Sequence, residues 1–204
     1  MLNVSSIIGR LALATALVFG AGPAFAGPTY HVGINTAGIA ATTGLLDFSL
    51  CGTTDADVAT ITLSNFSGLF GTSPDMVGDV VRTAGGYTMS TAIEAQSFLT
   101  FSVPLGGMFG FNVTFADDYA GVGTAIFQVG LFSENFVENL GLEGGLVSFE
   151  LVPASGNAPS FVSVSDNNAL AVITEVPEPS DLLLMLTALA LAGVVTRRAR
   201  KHNN

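Results

Sequence analysis

The chain has 204 residues, of which 49% are apolar, and its formal net charge at pH 7 is −10. This apolar content is that of a folded protein and excludes a disordered chain. Between residues 27 and 175, Arg82 is the one basic residue beside fourteen Asp and Glu residues, which gives that region a charge of about −13. Proteins that bind nucleic acid need clustered Lys and Arg to displace counterions, so this composition excludes a nucleic-acid partner.

The N-terminal segment, residues 1–26, has the three parts of a secretory signal. Arg10 supplies the positive charge, residues 11–19 are apolar, and the segment ends in Ala-Phe-Ala, a small-x-small cleavage site. The apolar part is shorter than the roughly 20 residues that cross a bilayer. We therefore predict a signal peptide over residues 1–26, with the exported chain beginning at Gly27.

Residues 27–175 alternate apolar and polar side chains with a period of two, which is typical of half-buried strands. The clearest example is residues 109–115, where Phe and Val alternate with small or polar residues. The same alternation, or a run of β-branched residues, occurs in six further segments: 30–34, 60–64, 99–103, 127–131, 147–151 and 162–164. Turn signals rich in Gly and Pro separate them. The pattern predicts one all-β domain, an antiparallel β-sandwich of jelly-roll type, with one short turn or helix allowed at residues 92–98.

The content of Phe and Cys indicates how this domain is stabilised. Fifteen Phe and no Trp predict a core filled by Phe rings. Cys51 is the one cysteine, so no intramolecular disulfide can form, and we expect its thiol to act as a small buried hydrophobe. The core must therefore supply the stability, and about 150 residues bury enough apolar surface for that.

Candidate catalytic residues are few. Hydrolases of the Ser-His-Asp or Cys-His type need a histidine, and the domain offers His31 alone, which the strand phase places on an exposed face. One His and one Cys do not make a zinc site. Glycoside hydrolysis needs two carboxylates, which any chain with so many acids offers, so this is not a specific indication. We predict that the protein is not an enzyme.

Acidic turns carry the remaining candidate site. Asp55 and Asp57 precede one predicted strand, and Asp117 and Asp118 follow another, beside Tyr119. Loops of this kind at one end of a sandwich could supply the oxygen ligands that calcium takes, and Tyr119 could offer its ring to a sugar. Asp is also an ordinary turn residue, so solvated surface acids are the alternative. Calcium is the one cofactor that the sequence suggests.

The C-terminal segment, residues 176–204, has the order of a membrane address. Its apolar run over residues 182–196 contains no charge and no Pro, so it predicts a helix without a polar face. At about 1.5 Å per residue this helix spans roughly 23 Å, and flanking residues must extend it to the hydrocarbon thickness of about 30 Å. Four basic residues follow, which the positive-inside rule keeps in the cytoplasm as a basic anchor: Arg197, Arg198, Arg200 and Lys201. We predict a transmembrane helix over residues 182–196, with residues 27–175 outside the cytoplasm.

This tail resembles the PEP-CTERM sorting signal of exported proteins in Gram-negative bacteria. Val176 precedes the motif formed by Pro177, Glu178 and Pro179, and the apolar span and the basic anchor follow, so that the resemblance covers the last 29 residues. It implies an exosortase as partner, cleavage near the motif, and passage from the inner membrane to the cell surface or the medium. In that family such signals accompany the production of exopolysaccharide and biofilm, which makes exopolysaccharide a second implied partner.

The exported region is similar to a subgroup of PEP-CTERM proteins with no assigned activity, at residues 30–32, 46–48 and 59–66. The sequence therefore predicts an exported surface or matrix protein, sorted by an exosortase and associated with exopolysaccharide. The alternative is a carbohydrate- or calcium-binding module of jelly-roll type. A concave sheet face lined by Tyr and polar groups would favour the module, and a featureless sandwich would favour the matrix protein.

Overall fold

The structure, a computed structural model, describes residues 27–53, 55–93, 95–116, 119, 123–141, 145–153, 161–166 and 169–177. The predicted signal peptide, Glu178 and Pro179 of the sorting motif, and the predicted transmembrane helix with its basic anchor lie outside these residues. In the described part of the chain, no helix is long and apolar enough to cross a membrane.

The described residues form twelve β-strands and no helix, which confirms the predicted all-β class. In chain order the strands are β1 (Thr29–Asn35), β2 (Thr43–Gly52), β3 (Thr60–Ser67), β4 (Asp75–Val77), β5 (Asp79–Thr83), β6 (Gly86–Ser90), β7 (Gln96–Pro104), β8 (Met108–Phe115), β9 (Ala125–Phe132), β10 (Val147–Val152), β11 (Phe161–Asp166) and β12 (Ala171–Val176). The seven segments predicted from the sequence lie within β1, β3, β7, β8, β9, β10 and β11.

The strands form two antiparallel sheets of six strands each. Sheet A has the order β12-β1-β8-β3-β6-β5, and sheet B has the order β11-β10-β9-β2-β7-β4. In sheet A the first strand pairs with the last, so that Thr29 lies opposite Val176 and Ile34 lies opposite Ala171. The two ends of the domain therefore leave sheet A side by side, and Pro177, the first residue of the predicted sorting motif, follows β12 directly.

The core lies between the inner faces of the two sheets, where Phe rings from both sheets interlock. Phe48 of β2 is fully buried, and its ring centroid lies 5.0 Å from that of Phe111 on β8, at an interplanar angle of 78°. At the other end of the core, Tyr30 of β1 lies 5.3 Å from Phe149 of β10. Edge-to-face pairs add roughly 0.5–1.5 kcal/mol each beyond the area that they bury. The predicted Phe-filled core is confirmed.

A single residue carries the chain from one sheet to the other at one side of the molecule. β4 of sheet B ends at Val77 and β5 of sheet A begins at Asp79, so Gly78 alone forms the corner. Its φ is +78°, and a Cβ at this position would lie 2.4 Å from the carbonyl oxygen of Gln96. Glycine is the residue that combines a left-handed φ with such a close backbone approach.

The short turn or helix allowed at residues 92–98 does not extend over that range, because β7 already begins at Gln96. Ser97 is fully buried on this strand; its hydroxyl donates to the carbonyl oxygen of Ser90 at 2.6 Å and accepts the backbone N–H of Asp79 at 2.9 Å. These two bonds join β7 of sheet B to β6 and β5 of sheet A. Buried backbone groups must be paired, and the extended strand is what places the Ser97 hydroxyl between them.

Cys51 departs from the expected burial. The alternation along β2 turns Leu50 into the core, where it is fully buried, and turns Cys51 to the outer face of sheet B, where the side chain is half-buried. Burial, and then the charge of Asp47, raise the pKa of the thiol. Both effects favour the neutral form of the thiol.

Candidate functional site

His31 lies exposed on β1, as its strand phase predicted. Its Nδ1 is 2.8 Å from Oδ1 of Asn112, the residue opposite it on β8. The contact is a cross-strand hydrogen bond between polar side chains on the outer face of sheet A. Such a bond stabilises a sheet surface and requires no catalytic role.

The structure describes one of the two predicted acidic loops, the one that contains Asp55 and Asp57. Asp55 and Asp57 are exposed in the connection between β2 and β3. The backbone N–H of Thr53 donates to the carbonyl oxygen of Thr124 at 3.0 Å, which holds this connection against the segment before β9. Asp117 and Asp118 fall outside the described residues. Among the residues that are described, no three His, Cys, Asp or Glu side chains are grouped to hold a metal, and the calcium site stays a prediction.

Tyr119 lies in this same loop cluster, with its ring turned inward. Its side chain is 4% exposed, and its hydroxyl donates to the carbonyl oxygen of Gly123 at 3.0 Å. Burial, and then the charge of Asp57, raise the pKa of the phenol. The ring therefore packs the cluster together, and stacking on a sugar would require it to turn outward.

A cavity lies away from these loops, on sheet B. A pocket of about 200 Å³ opens on the outer face of sheet B, and polar groups, glycines and one aromatic ring line it: Asp47, Ser49, Gln128, Gly130, Phe132, Asn139 and Gly145. β2 and β9 are neighbours, and their register places Asp47 opposite Gly130 and Ser49 opposite Gln128. Because Gly130 has no side chain, the ring of Phe132 can lie over it.

Phe132 forms the wall of this pocket. A Cβ at Gly130 would lie 2.6 Å from Cε2 of Phe132, so the ring covers the glycine. The centroid of that ring is 5.5 Å from the ring of Phe136, which is 54% exposed and has a φ of +55°. A positive φ is rare for a bulky residue, and strained residues concentrate at ligand sites and other functional positions. The rim of the pocket thus presents an exposed aromatic ring on a strained backbone.

Asp47 supplies the charge of the pocket. Its Oδ1 accepts a hydrogen bond from the Thr100 hydroxyl at 2.6 Å, and Thr100 lies opposite it on β7. Burial raises the pKa of Asp47, and the hydrogen bond from Thr100 opposes that rise. Thr100 therefore fixes the orientation of a partly desolvated carboxylate, which interacts more strongly with a ligand than a solvated one would.

Reasoning from the sequence missed this pocket. The alternation of Leu46, Phe48 and Leu50 with polar residues is a sufficient signal for β2, and it places Asp47 on the outer face. The position of Gly130 beside Asp47 depends on the pairing of two distant strands. No local pattern contains that register.

No protein-family model, curated protein or solved structure matches the chain. A functional proposal therefore rests on the chemistry of the pocket and on the sequence. The lining of the pocket is polar with one Phe ring, and none of its residues is a Tyr.

Proposed function

We propose that the chain is an exported surface protein whose β-sandwich, of jelly-roll type, binds carbohydrate in the pocket on the outer face of sheet B. The observation that supports this best is the pocket's lining, in which the Asp47 carboxylate, the Gln128 and Asn139 amides and the Phe132 ring meet at one cavity. A carboxylate accepts hydrogen bonds from sugar hydroxyls, an amide both accepts and donates them, and an aromatic ring packs on the apolar face of a sugar. The protein is proposed as a binding module and not as an enzyme.

The volume of the pocket limits the size of the ligand. Its roughly 200 Å³ lies below the ~300–1,000 Å³ typical of pockets for drug-sized ligands, so the pocket suits one sugar ring or the end of a polysaccharide. The loop after β9 extends the contact surface, because Phe136 and Val137 are 54% and 80% exposed at its tip. A longer glycan would continue over this apolar rim.

The sequence supports the exported location. The predicted signal peptide ends at residue 26, and the tail resembles a PEP-CTERM sorting signal. The proposed path runs through the inner membrane, with the helix of residues 182–196 as a transient anchor, to an exosortase and then to the cell surface or the medium. Exopolysaccharide is the carbohydrate that the protein would meet there.

The export proposal is tested by the intact mass of the protein recovered from the cell envelope and from the medium. We expect a chain that begins at Gly27 and ends between Pro177 and Ser180, because β12 pairs its residues as far as Val176 while Pro177 is exposed beyond it. Peptide sequencing of both ends identifies the cut sites. A membrane-bound chain that still contains Arg197 would remove the exosortase from the proposal and make this a stably anchored protein.

Carbohydrate binding is tested by filling the pocket. Ser49→Leu places a bulky side chain inside the pocket, and we expect binding on a glycan array to weaken by at least about tenfold because the ligand and the new side chain occupy the same space. Ser102→Leu is the matched control. It makes the same change on the same face, on β7 and outside the pocket lining, and should bind as the unaltered chain does.

Two results would remove the pocket as the binding site. One is full binding by Ser49→Leu at an unchanged melting temperature, and the other is an unaltered chain that binds no glycan. Binding lost in Asp117→Ala and kept in Ser49→Leu would move the site to the acidic loops predicted from the sequence.

A further inference from the structure

We infer that the pocket on sheet B selects a sugar that carries a protonated amine over neutral and anionic sugars. The inference rests on the proposed carbohydrate-binding function and specifies its ligand. It depends on the balance of charge around the pocket, on the register of four strands, and on the hydrogen bond that holds Asp47.

Asp47 is the one ionisable residue among those that line the pocket. Arg82, the only Lys or Arg between residues 27 and 175, lies on β5 at the edge of sheet A, with its guanidinium carbon 5.9 Å from the centroid of the Tyr87 ring. His31 also lies on sheet A, on β1. No basic side chain of the described strands is thus placed on sheet B to neutralise Asp47.

Asp75 adds a second carboxylate to the same face. The registers place Asp75 of β4 opposite Thr100 of β7, Thr100 opposite Asp47 of β2, and Asp47 opposite Gly130 of β9. Residues directly opposite each other on neighbouring strands share one face of a sheet. Two carboxylates therefore flank the Thr100 hydroxyl, and their field attracts cationic ligands and repels anionic ones.

An ammonium group can donate hydrogen bonds to the acceptor sites of Asp47 that Thr100 leaves open. The Thr100 hydroxyl occupies one acceptor site of the carboxylate, which has about four such sites in all. A neutral donor and an ammonium both form charge-assisted hydrogen bonds to a carboxylate, and the ammonium adds the attraction between opposite charges. A divalent metal, in contrast, needs several ligands at once, and within the described ranges no cluster of three acidic, His or Cys side chains provides them.

The test compares four monosaccharides that share a pyranose ring and differ in charge: glucosamine, N-acetylglucosamine, glucose and glucuronic acid. The full chain is titrated at about pH 6, where an amine of this kind is protonated, in a detergent without a sugar head group. We expect glucosamine to bind at least about tenfold more tightly than N-acetylglucosamine, and glucuronic acid to bind most weakly.

Asp47→Asn replaces the carboxylate by an amide of the same shape. We expect the preference for glucosamine over N-acetylglucosamine to fall to within about twofold, because glucosamine then loses a charge attraction that the uncharged N-acetylglucosamine does not have. Asp79→Asn makes the same change of charge on β5 of sheet A and should leave the preference unchanged. This control separates the local effect of Asp47 from the change in net charge.

The possible failures are distinguishable. If the unaltered chain binds no glycan on the array, the proposed function fails and this inference fails with it. If the chain binds glycans on the array but none of the four sugars, only the inference fails. If the chain binds N-acetylglucosamine as tightly as glucosamine, or if Asp47→Asn keeps the preference, the inference is wrong and the proposed function stands. Displacement of glucosamine by millimolar Ca²⁺ would also overturn the inference, because it would make the pocket a metal site.

Discussion

Phe48→Ala is expected to lower the free energy of unfolding by about 3–5 kcal/mol, the range for a fully buried Phe. The ring lies on the central strand β2 with no exposed surface. It contacts Phe rings from both sheets: Phe66, Phe101, Phe111 and Phe127. Truncation leaves a cavity that four large, interlocked rings cannot fill without leaving their own contacts. The free energy of unfolding is measured by chemical denaturation of the unaltered chain and the variant.

Phe136→Ala is the matched control for this change, because it removes the same ring from an exposed position on the loop after β9. We expect it to change the free energy of unfolding by less than about 1 kcal/mol. A Phe48→Ala variant that is no less stable than Phe136→Ala would show that Phe48 does not fill the space between the sheets. Phe48→Leu, which retains much of the volume, should lie between the two variants.

Gly78→Ala is expected to lower the free energy of unfolding by about 3 kcal/mol or more, since it combines two unfavourable effects. The backbone has a φ of +78°, which a residue with a Cβ adopts at a cost of roughly 1–2 kcal/mol. The new Cβ would lie 2.4 Å from the carbonyl oxygen of Gln96 and 2.7 Å from the Ser97 hydroxyl, so the corner between β4 and β5 must move. That movement also strains the hydrogen bond from the Asp79 N–H to the Ser97 hydroxyl.

Two other glycines separate these effects in the same denaturation measurement. Gly106 has a φ of +95°, and a methyl group added there would meet no atom within 4 Å beyond its chain neighbours, so Gly106→Ala should cost only about 1–2 kcal/mol. Gly85 has open space and no left-handed φ, so Gly85→Ala should stay within about 0.5 kcal/mol of the unaltered chain. Equal costs at Gly78 and Gly106 would mean that the corner yields freely to the added methyl group.

The sequence predicts the strands well where burial follows a strict alternation. In β8 and β9, apolar residues recur at every second position because one face of each strand lies in the core. β4 carries no such signal, since all of its residues, Asp75 to Val77, are exposed at the edge of sheet B. Edge strands of this kind are defined by backbone pairing with a neighbour, here β7, and their side chains need not alternate.

The candidate pocket shows a second limit of reasoning from sequence. An outward-facing Asp47 is predictable from the alternation along β2, but a pocket also needs the missing side chain of Gly130 and the ring of Phe132 beside it. Asp47 precedes Gly130 by 83 residues, and β2 meets β9 only through the order of the strands. Likewise, the Asp57 loop does approach Tyr119, but the burial of that ring depends on how the loops pack.

The pairing of β1 with β12 determines when the fold can be completed. A chain made from its N-terminus produces β1 first. One edge of β1 stays unpaired until Ala171–Val176, the last strand of the domain, has been made. Contacts between the two ends of a domain have the highest contact order, and folds that depend on them form slowly. Until β12 arrives, the open edge of β1 is a template for strands of other chains. The last strand therefore protects the nascent protein from edge-to-edge association, in addition to closing sheet A.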